Sequence, residues 1–279
     1  MKIATYYDEN MNELDTENLF TTHLDVPSTN FTNNWLAGED GIPPIFAGST
    51  VQQKTVTATI EIIAYDYLDY SLLKSYLHGV FGFGKPFYVV DNREPGKRTL
   101  VVLESNFRPE RHNPVNGTAT IPFTTVNPHY TESIGTTQDI QENGISANDE
   151  LWGFGMGLIA DDDSLNYTHT GASFRIYNAG NVAVHPFEQE LSITIDNVQG
   201  STDYLELRNT TNGSTFRVNE GVSSSQTILL DGPNVTSNGL QFLRNTNKQY
   251  IELVPGWNDF TVSGATSARV SMDFPFYYL

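Results

Sequence analysis

The sequence predicts a mainly β protein of two domains, and three observations carry that prediction. Strand-like runs follow one another through the second half at roughly 8–12 residue spacing, divided by turn dipeptides such as Asn212-Gly213 and Asn238-Gly239. A single stretch, residues 66–80, has helical apolar spacing. Between the halves lies TESIGTTQDIQENGISANDE (131–150), polar and nearly free of large apolar side chains, which reads as a linker. The expected division is therefore 1–130, a linker at 131–150, and 151–279.

In chain order, residues 31–50 are rich in Gly and Pro and are expected to form a long loop. VQQKTVTATIEIIA then alternates Val56, Ala58, Ile60 and Ile62 against Thr57, Thr59 and Glu61, the period of a half-buried strand. The helix follows, with Leu68, Leu72, Leu73, Tyr76, Leu77 and Val80 as its apolar stripe. It leads into GVFGFGKP (79–86), one letter short of a nucleotide-binding loop. That loop must follow a strand and open a helix, whereas this one follows a helix, and Pro86 lacks the metal-binding hydroxyl. The glycines are therefore expected to form a helix exit into the strand PFYVVDN. The turn NREPGK, the strand RTLVVLESNF and the strand GTATIPFTTVNP complete this half.

The second half is expected to be an antiparallel sandwich built from FRIYNAG, QELSITIDNV, DYLELRN, STFRVNE, QTILLDG, LQFLRN, YIELVPG, DFTVSG and ARVSMDF.

Composition excludes several functions. The net charge is −18, divided as 15 acids and 9 bases in residues 1–130 against 18 and 6 in 131–279. Such a chain is a poor candidate for stable nucleic-acid binding or for an anionic membrane, since both rely on Lys and Arg. No cysteine is present, which removes disulfides, thiolate metal sites and thiol nucleophiles. The N-terminus has no apolar signal region and no run is long enough to span a membrane, so cytoplasmic synthesis is expected.

Catalytic signatures are weak. The six histidines (23, 78, 112, 129, 169, 185) show no metal-ligand spacing, and no nucleophile elbow occurs. Glu188 and Glu190 are expected on one strand face, where a glycosidase would need carboxylates facing each other across a cleft. Asp161, Asp162 and Asp163 lack the glycine and terminal glutamate of a calcium loop. The chain is therefore expected to be no enzyme, with no catalytic residue, metal or cofactor. Trp152, Tyr250 and Trp257, with Tyr204, are candidates for a sugar-stacking platform.

Several stretches together resemble the distal tail protein (Dit) family of long-tailed, non-contractile bacteriophages. They are AGEDGIPPIFAGSTVQQKTVTATIEI, LHGVFGFGKPFYVVDNREPGKRTLVVLE, GTATIPFTTVNPHY, FRIYNAGNVAVHPFEQELSITI, ILLDGPNVTSNG, YIELVPGWNDFTVSG and the terminal SMDFPFYYL. The resemblance implies an N-terminal tail-tube-like β-sandwich with one α-helix and a C-terminal galectin-like or carbohydrate-module-like β-sandwich. It also implies a homohexameric ring that joins the major tail tube protein to a tail-tip, tail-associated lysin or fibre protein at the distal end of the virion tail. A receptor-binding protein is a further implied partner. For such a ring the candidate intersubunit residues are Gly38, Asp40, Pro43, Ile45 and Phe46 in the long loop, with Arg93, Glu94 and Lys97 in the turn at 92–97. The alternative reading is a carbohydrate-binding adhesin recognising host cell-wall glycans through Trp152, Tyr250 and Trp257.

Overall fold

A computed structural model describes every residue except 1, 17, 39–42, 128, 146–150 and 154. The chain is mainly β and divides into two compact units, one running to Thr131 and the other spanning Glu132–Tyr278.

The first unit contains β1 (Ala4–Tyr7), β2 (Leu19–Asp25), β3 (Asn30–Leu36), β4 (Ile45–Gln52), β5 (Thr55–Ile63), α1 (Tyr67–Phe81), β6 (Phe87–Asp91), β7 (Lys97–Leu103), β8 (Glu110–Arg111) and β9 (Asn116–Thr125). Six strands lie in the antiparallel order β1-β6-β7-β9-β5-β2, with β8 on β9. The alternation read at residues 56–62 is the inward face of β5, where Val56, Ala58, Ile60 and Ile62 are buried. Across the ladder they meet Phe123, Ile121, Ala119 and Gly117 of β9, so two strands contribute one apolar layer.

α1 begins where Asp66 accepts the Leu68 and Asp69 N–H groups at 2.8 Å, while the Asp69 carboxylate accepts the Tyr65 N–H at 2.7 Å. It buries Tyr70, Leu73, Leu77 and Phe81 against the sheet. Gly117 permits the close approach: a Cβ there would lie 2.3 Å from the Tyr70 hydroxyl. The helix ends at Gly82, whose N–H donates to the His78 carbonyl, and Gly84 takes a φ of 67° before Pro86 opens β6. The glycine run is a helix exit, as its position after α1 requires. The apolar stripe read from spacing, however, divides between two faces. Leu73 and Leu77 are buried, but Leu68 and Leu72 point to solvent, because the sheet covers the side that carries Tyr70 and Phe81.

The second unit opens with β10 (Thr131–Thr136) and α2 (Thr137–Asn143), then holds β11 (Thr168–Thr170), β12 (Ser173–Asn178), β13 (Ser192–Gln199), β14 (Leu205–Asn209), β15 (Thr215–Val218), β16 (Ile228–Asp231), β17 (Asn234–Ser237), β18 (Leu240–Gln241), β19 (Gly256–Ser263), β20 (Ser267–Asp273) and β21 (Pro275–Tyr278). One sheet runs β11-β20-β13-β16-β17-β18, a second runs β12-β19-β14-β15, and β10 pairs with β21. Asn238 and Gly239 both have positive φ and form the two-residue turn between β17 and β18.

Residues 131–143, expected within a linker, are ordered structure. They were legible only as polar because polar atoms hold them. Thr137 Oγ1 donates to the Met272 carbonyl and accepts the Phe274 N–H, both at 3.1 Å, and Ser133 Oγ accepts the Phe276 N–H at 2.9 Å. Gln138 Nε2 donates to the Met272 carbonyl at 2.7 Å. YIELVPG likewise departs from expectation: it makes only the isolated Val184–Leu253 bridge, because asparagine side chains occupy its backbone groups. Asn209 Nδ2 donates to the Glu252 carbonyl, while Asn258 accepts the Val254 N–H and donates to the Val254 carbonyl. LQFLRN is a two-residue strand followed by a short 3₁₀ turn at Leu243–Asn245.

The two faces of α1 give a sharp contrast in stability. Leu77→Ala, at a side chain that is 0% exposed, is expected to cost about 2–5 kcal/mol. Leu72→Ala, at 70% exposure, is expected to change stability by no more than about 0.5 kcal/mol. Urea unfolding of the two variants measures the difference, and equal losses would mean that α1 is rotated from the orientation described.

Candidate functional site: an assembly surface

The stretch 31–50, expected as a loop, is a two-stranded arm. β3 and β4 pair antiparallel from Asn30–Gln52 to Leu36–Ile45, with an irregularity between Asn34 and Trp35. Among the described residues they pair with no other strand. No residue of β3 is shielded from solvent, and in β4 only Gly48 and Val51 are partly covered. This is why the arm escaped detection: a strand exposed on both faces has no reason to alternate apolar and polar residues. Asn33 Oδ1 accepts the Ser49 hydroxyl at 2.7 Å, and Asn34 Nδ2 donates to Thr50 Oγ1 at 3.2 Å, so local polar pairs supplement the ladder.

The arm carries large apolar side chains without a core. Phe31, Trp35, Leu36, Ile45 and Phe46 are exposed, Trp35 at 59% and Phe46 at 53%, and the Trp35 and Phe46 rings meet edge-on at 5.4 Å between centroids. Neither β3 nor β4 contains a charged residue. An isolated two-stranded hairpin is marginal in water, so this one is suited to being covered by something else. The outer face of α1 adds a second uncovered apolar patch of Tyr65, Tyr67, Leu68 and Leu72, with Tyr65 at 94% exposure. Tyr76 continues that face, its hydroxyl donating to the Asp15 carbonyl at 2.9 Å.

The sequence-derived interface residues fall into two groups. Gly38, Pro43, Ile45 and Phe46 are exposed on the arm or in its connecting segment, and Asp40 lies outside the described residues. Phe31, Trp35 and Leu36 belong with them and were missed; Phe, Trp and Leu in the charge-free stretch 26–38 were the available signal. The turn at 92–97 is different, because its charges are used inside the chain. Arg93 Nε and Nη2 bond both oxygens of Asp91 at 2.6–3.1 Å, and Nη2 also donates to the Leu24 carbonyl at 3.0 Å. Lys97 Nζ lies 3.3 Å from the Glu94 carboxylate. Burial alone would raise the Asp91 pKa, but the hydrogen bonds and charge of Arg93 outweigh it and hold the carboxyl below the usual range.

The aromatic residues of the candidate sugar platform make their ring contacts with other residues rather than with one another. Trp152 is 5% exposed, packs on Phe276, and fills the space over Gly135, where a Cβ would lie 2.6 Å from its ring. Trp257 is stacked by Arg175 at 4.4 Å and packs against Tyr177. Tyr250 meets the edge of Phe187 at 4.7 Å, and Tyr204 lies under Arg217 at 4.2 Å. Each of these rings thus has a different packing neighbour. Glu188 precedes β13 in a turn whose backbone N–H bonds the His185 carbonyl, so it does not share a strand face with Ser192. Asp161 caps a short 3₁₀ turn at Asp162–Leu165. Among the described residues no three His, Asp or Glu side chains are grouped to hold a metal, and no helix is long and apolar enough to cross a membrane.

Residues 17–125 match the phage tail protein RIFT-related domain family. Over its whole length the chain has the fold of the SPP1 Dit (gp 19.1) protein, described as a paradigm of hub adsorption apparatus in phages infecting Gram-positive hosts. The TM-score is 0.65 at 12% identity, covering 99% of this chain and 100% of that one. A chain of the phage p2 baseplate in its activated conformation aligns with a TM-score of 0.42 at 12% identity, covering 97% and 98%. No curated protein matches the sequence. The resemblance read from sequence is thus borne out as a tail-domain family over residues 17–125 and as a distal-tail fold over the chain.

The Asp91–Arg93 link predicts a pH signature. A carboxyl held below its unfolded value stabilises the fold above that value, near pH 4, and loses the contribution as pH falls through the folded pKa. Arg93→Ala is therefore expected to lower the urea midpoint at pH 7, and the gap from wild type is expected to shrink at pH 3. A gap that stays constant between the two would show that the link is not the source.

Proposed function

Given a phage-tail domain over residues 17–125 inside a distal-tail fold, we propose that this protein is a structural, non-catalytic hub at the distal end of a siphovirus tail. Copies assemble head to tail into a closed six-membered ring. The ring joins the tail tube to tail-tip or baseplate proteins, and the second unit is the platform on which those peripheral proteins dock. The protein is made in the host cytoplasm and resides in the virion tail tip.

The observation that carries the reading is the uncovered arm. Five large apolar side chains on β3 and β4, and four more on or just before α1, are left in water. At roughly 100 Å² of uncovered surface per side chain, each patch supplies about half of the ~800 Å² per partner of a stable interface. The patches differ in shape, one a protruding arm and one a helix face, so contacts between copies are of the heterologous kind that closes into rings.

Negative-stain electron microscopy with light-scattering mass tests this directly. Six-fold rings are expected from concentrated wild-type protein. The double variant Trp35→Ser with Phe46→Ser is expected to weaken assembly at least tenfold, since two buried aromatic anchors are each worth about 2 kcal/mol. Its unfolding midpoint is expected to stay near wild type, because neither ring belongs to a core. Rings that persist in this variant would remove the arm from the interface.

A further inference from the structure

The first unit leaves the outer edge of β2 without a partner strand, and a cleft lies beside it. Among the described residues β2 pairs only with β5. On the side away from β6, β1 meets residues 12–14 through the Tyr7–Glu13 bridge and the Leu14 N–H to the Tyr6 carbonyl at 2.8 Å, both toward its C-terminal end. Between the start of β1 and the start of β2 is a cleft of about 540 Å³, lined by Lys2, Ile3, Thr16, Leu19, Phe20, Thr21 and Thr22. The two strands are joined there by a side-chain contact, Tyr6 Oη to Thr21 Oγ1 at 2.9 Å, in place of a backbone ladder.

One feature shows that the cleft is incomplete: Phe20, on the lining, is half uncovered. An open strand edge is a template for another strand, whose backbone supplies the missing donors and acceptors.

We propose that this cleft receives the β3–β4 arm of a second copy of the chain, added as a strand against the open edge of β2. The proposal rests on the arm-mediated assembly described above and names its receptor. The arm brings what the cleft lacks: strands that pair only with each other, and apolar side chains to cover Ile3 and Phe20. Its strands are uncharged, so docking buries no unpaired ion. The arm follows β2 at its far end, beyond Asp25, whereas the cleft lies at Leu19–Thr22, which sets each arm apart from its own cleft. A neighbour's cleft is the matching one, and arm-into-cleft contacts propagate head to tail.

The absence of cysteine makes the test clean. Full-length chains carrying Phe46→Cys with Thr22→Cys are treated with a short bis-maleimide, alongside a second pair, Phe46→Cys with Leu72→Cys on the outer face of α1. The first pair is expected to give a ladder of covalent multimers, and each single variant no product beyond dimers. A ladder from the second pair alone, or assemblies without any ladder from the first, would overturn the cleft as receptor while leaving the arm-mediated ring intact. Monomers throughout, by light scattering, would overturn both.

Discussion

Phe81 is the point on which the first unit depends. It is the last residue of α1, and its ring lies 4.9 Å from Tyr6, 5.8 Å from Phe87 and 5.6 Å from Phe123, drawing the helix end, β1, β6 and β9 into one aromatic cluster. Phe87 and Phe123 meet edge-on at 5.2 Å within it. All four rings are essentially fully buried. The glycine exit follows from this: with Phe81 fixed in the core, the chain must turn within a few residues to deliver Phe87 to the same cluster. Gly82 and Gly84 supply that turn, and Pro86 prevents the helix from running on. The near-match to a phosphate loop is thus a by-product of packing two phenylalanines either side of a sharp turn.

The same geometry explains which parts of the fold were legible. Strands with one face on a core declared themselves by alternation, so β5, β6, β7, β9 and most of β12–β20 stand where the sequence puts them. The elements that were missed share a different property: their position is set by something periodicity does not encode. β3 and β4 have no buried face, so nothing selects an alternating pattern. β10 and α2 are fixed by Ser133, Thr137 and Gln138 bonding the backbone of residues 272–276, so their sequence reads as a solvated connection. On α1, spacing identified a helix but merged two apolar faces into one, since only tertiary contact says which is covered. At the candidate site, Ile45 and Phe46 could be named from their place in a long segment. Trp35 and the outer face of α1 could not, because apolar residues there look like core until a structure shows them in water.

The second unit uses asparagine where other sandwiches use strand pairing. Asn209 and Asn258 are fully buried, bonded to one another at 2.9 Å, and between them hold the backbone at Glu252, Val254 and Gly256. Asn178 does the same for Gly180 and Val182. A segment fixed this way keeps its backbone groups satisfied without becoming a strand that could recruit others. The richness in Asn and Thr therefore reflects internal pinning as well as surface. The aromatic residues follow suit, since Trp152, Trp257, Tyr204 and Tyr250 each have a committed neighbour.

Charge then constrains how copies can meet. Each chain carries a net charge of −18, so approach between copies is repulsive at long range and only partly screened at physiological ionic strength, where the Debye length is about 8 Å. An interface built from ion pairs would have to find scarce cations, and several of those present are already engaged. Arg93 is on Asp91, Arg269 on Asp196, Arg175 over Trp257 and Arg217 over Tyr204. The uncovered surface of the first unit answers that constraint with an arm whose strands carry no charge and a helix face of Tyr and Leu. Contact through those surfaces gains from apolar burial without bringing acids together, while the acidic remainder discourages association through any other face. The charge that makes a nucleic-acid partner improbable thereby also narrows self-association to the surfaces that are free of it.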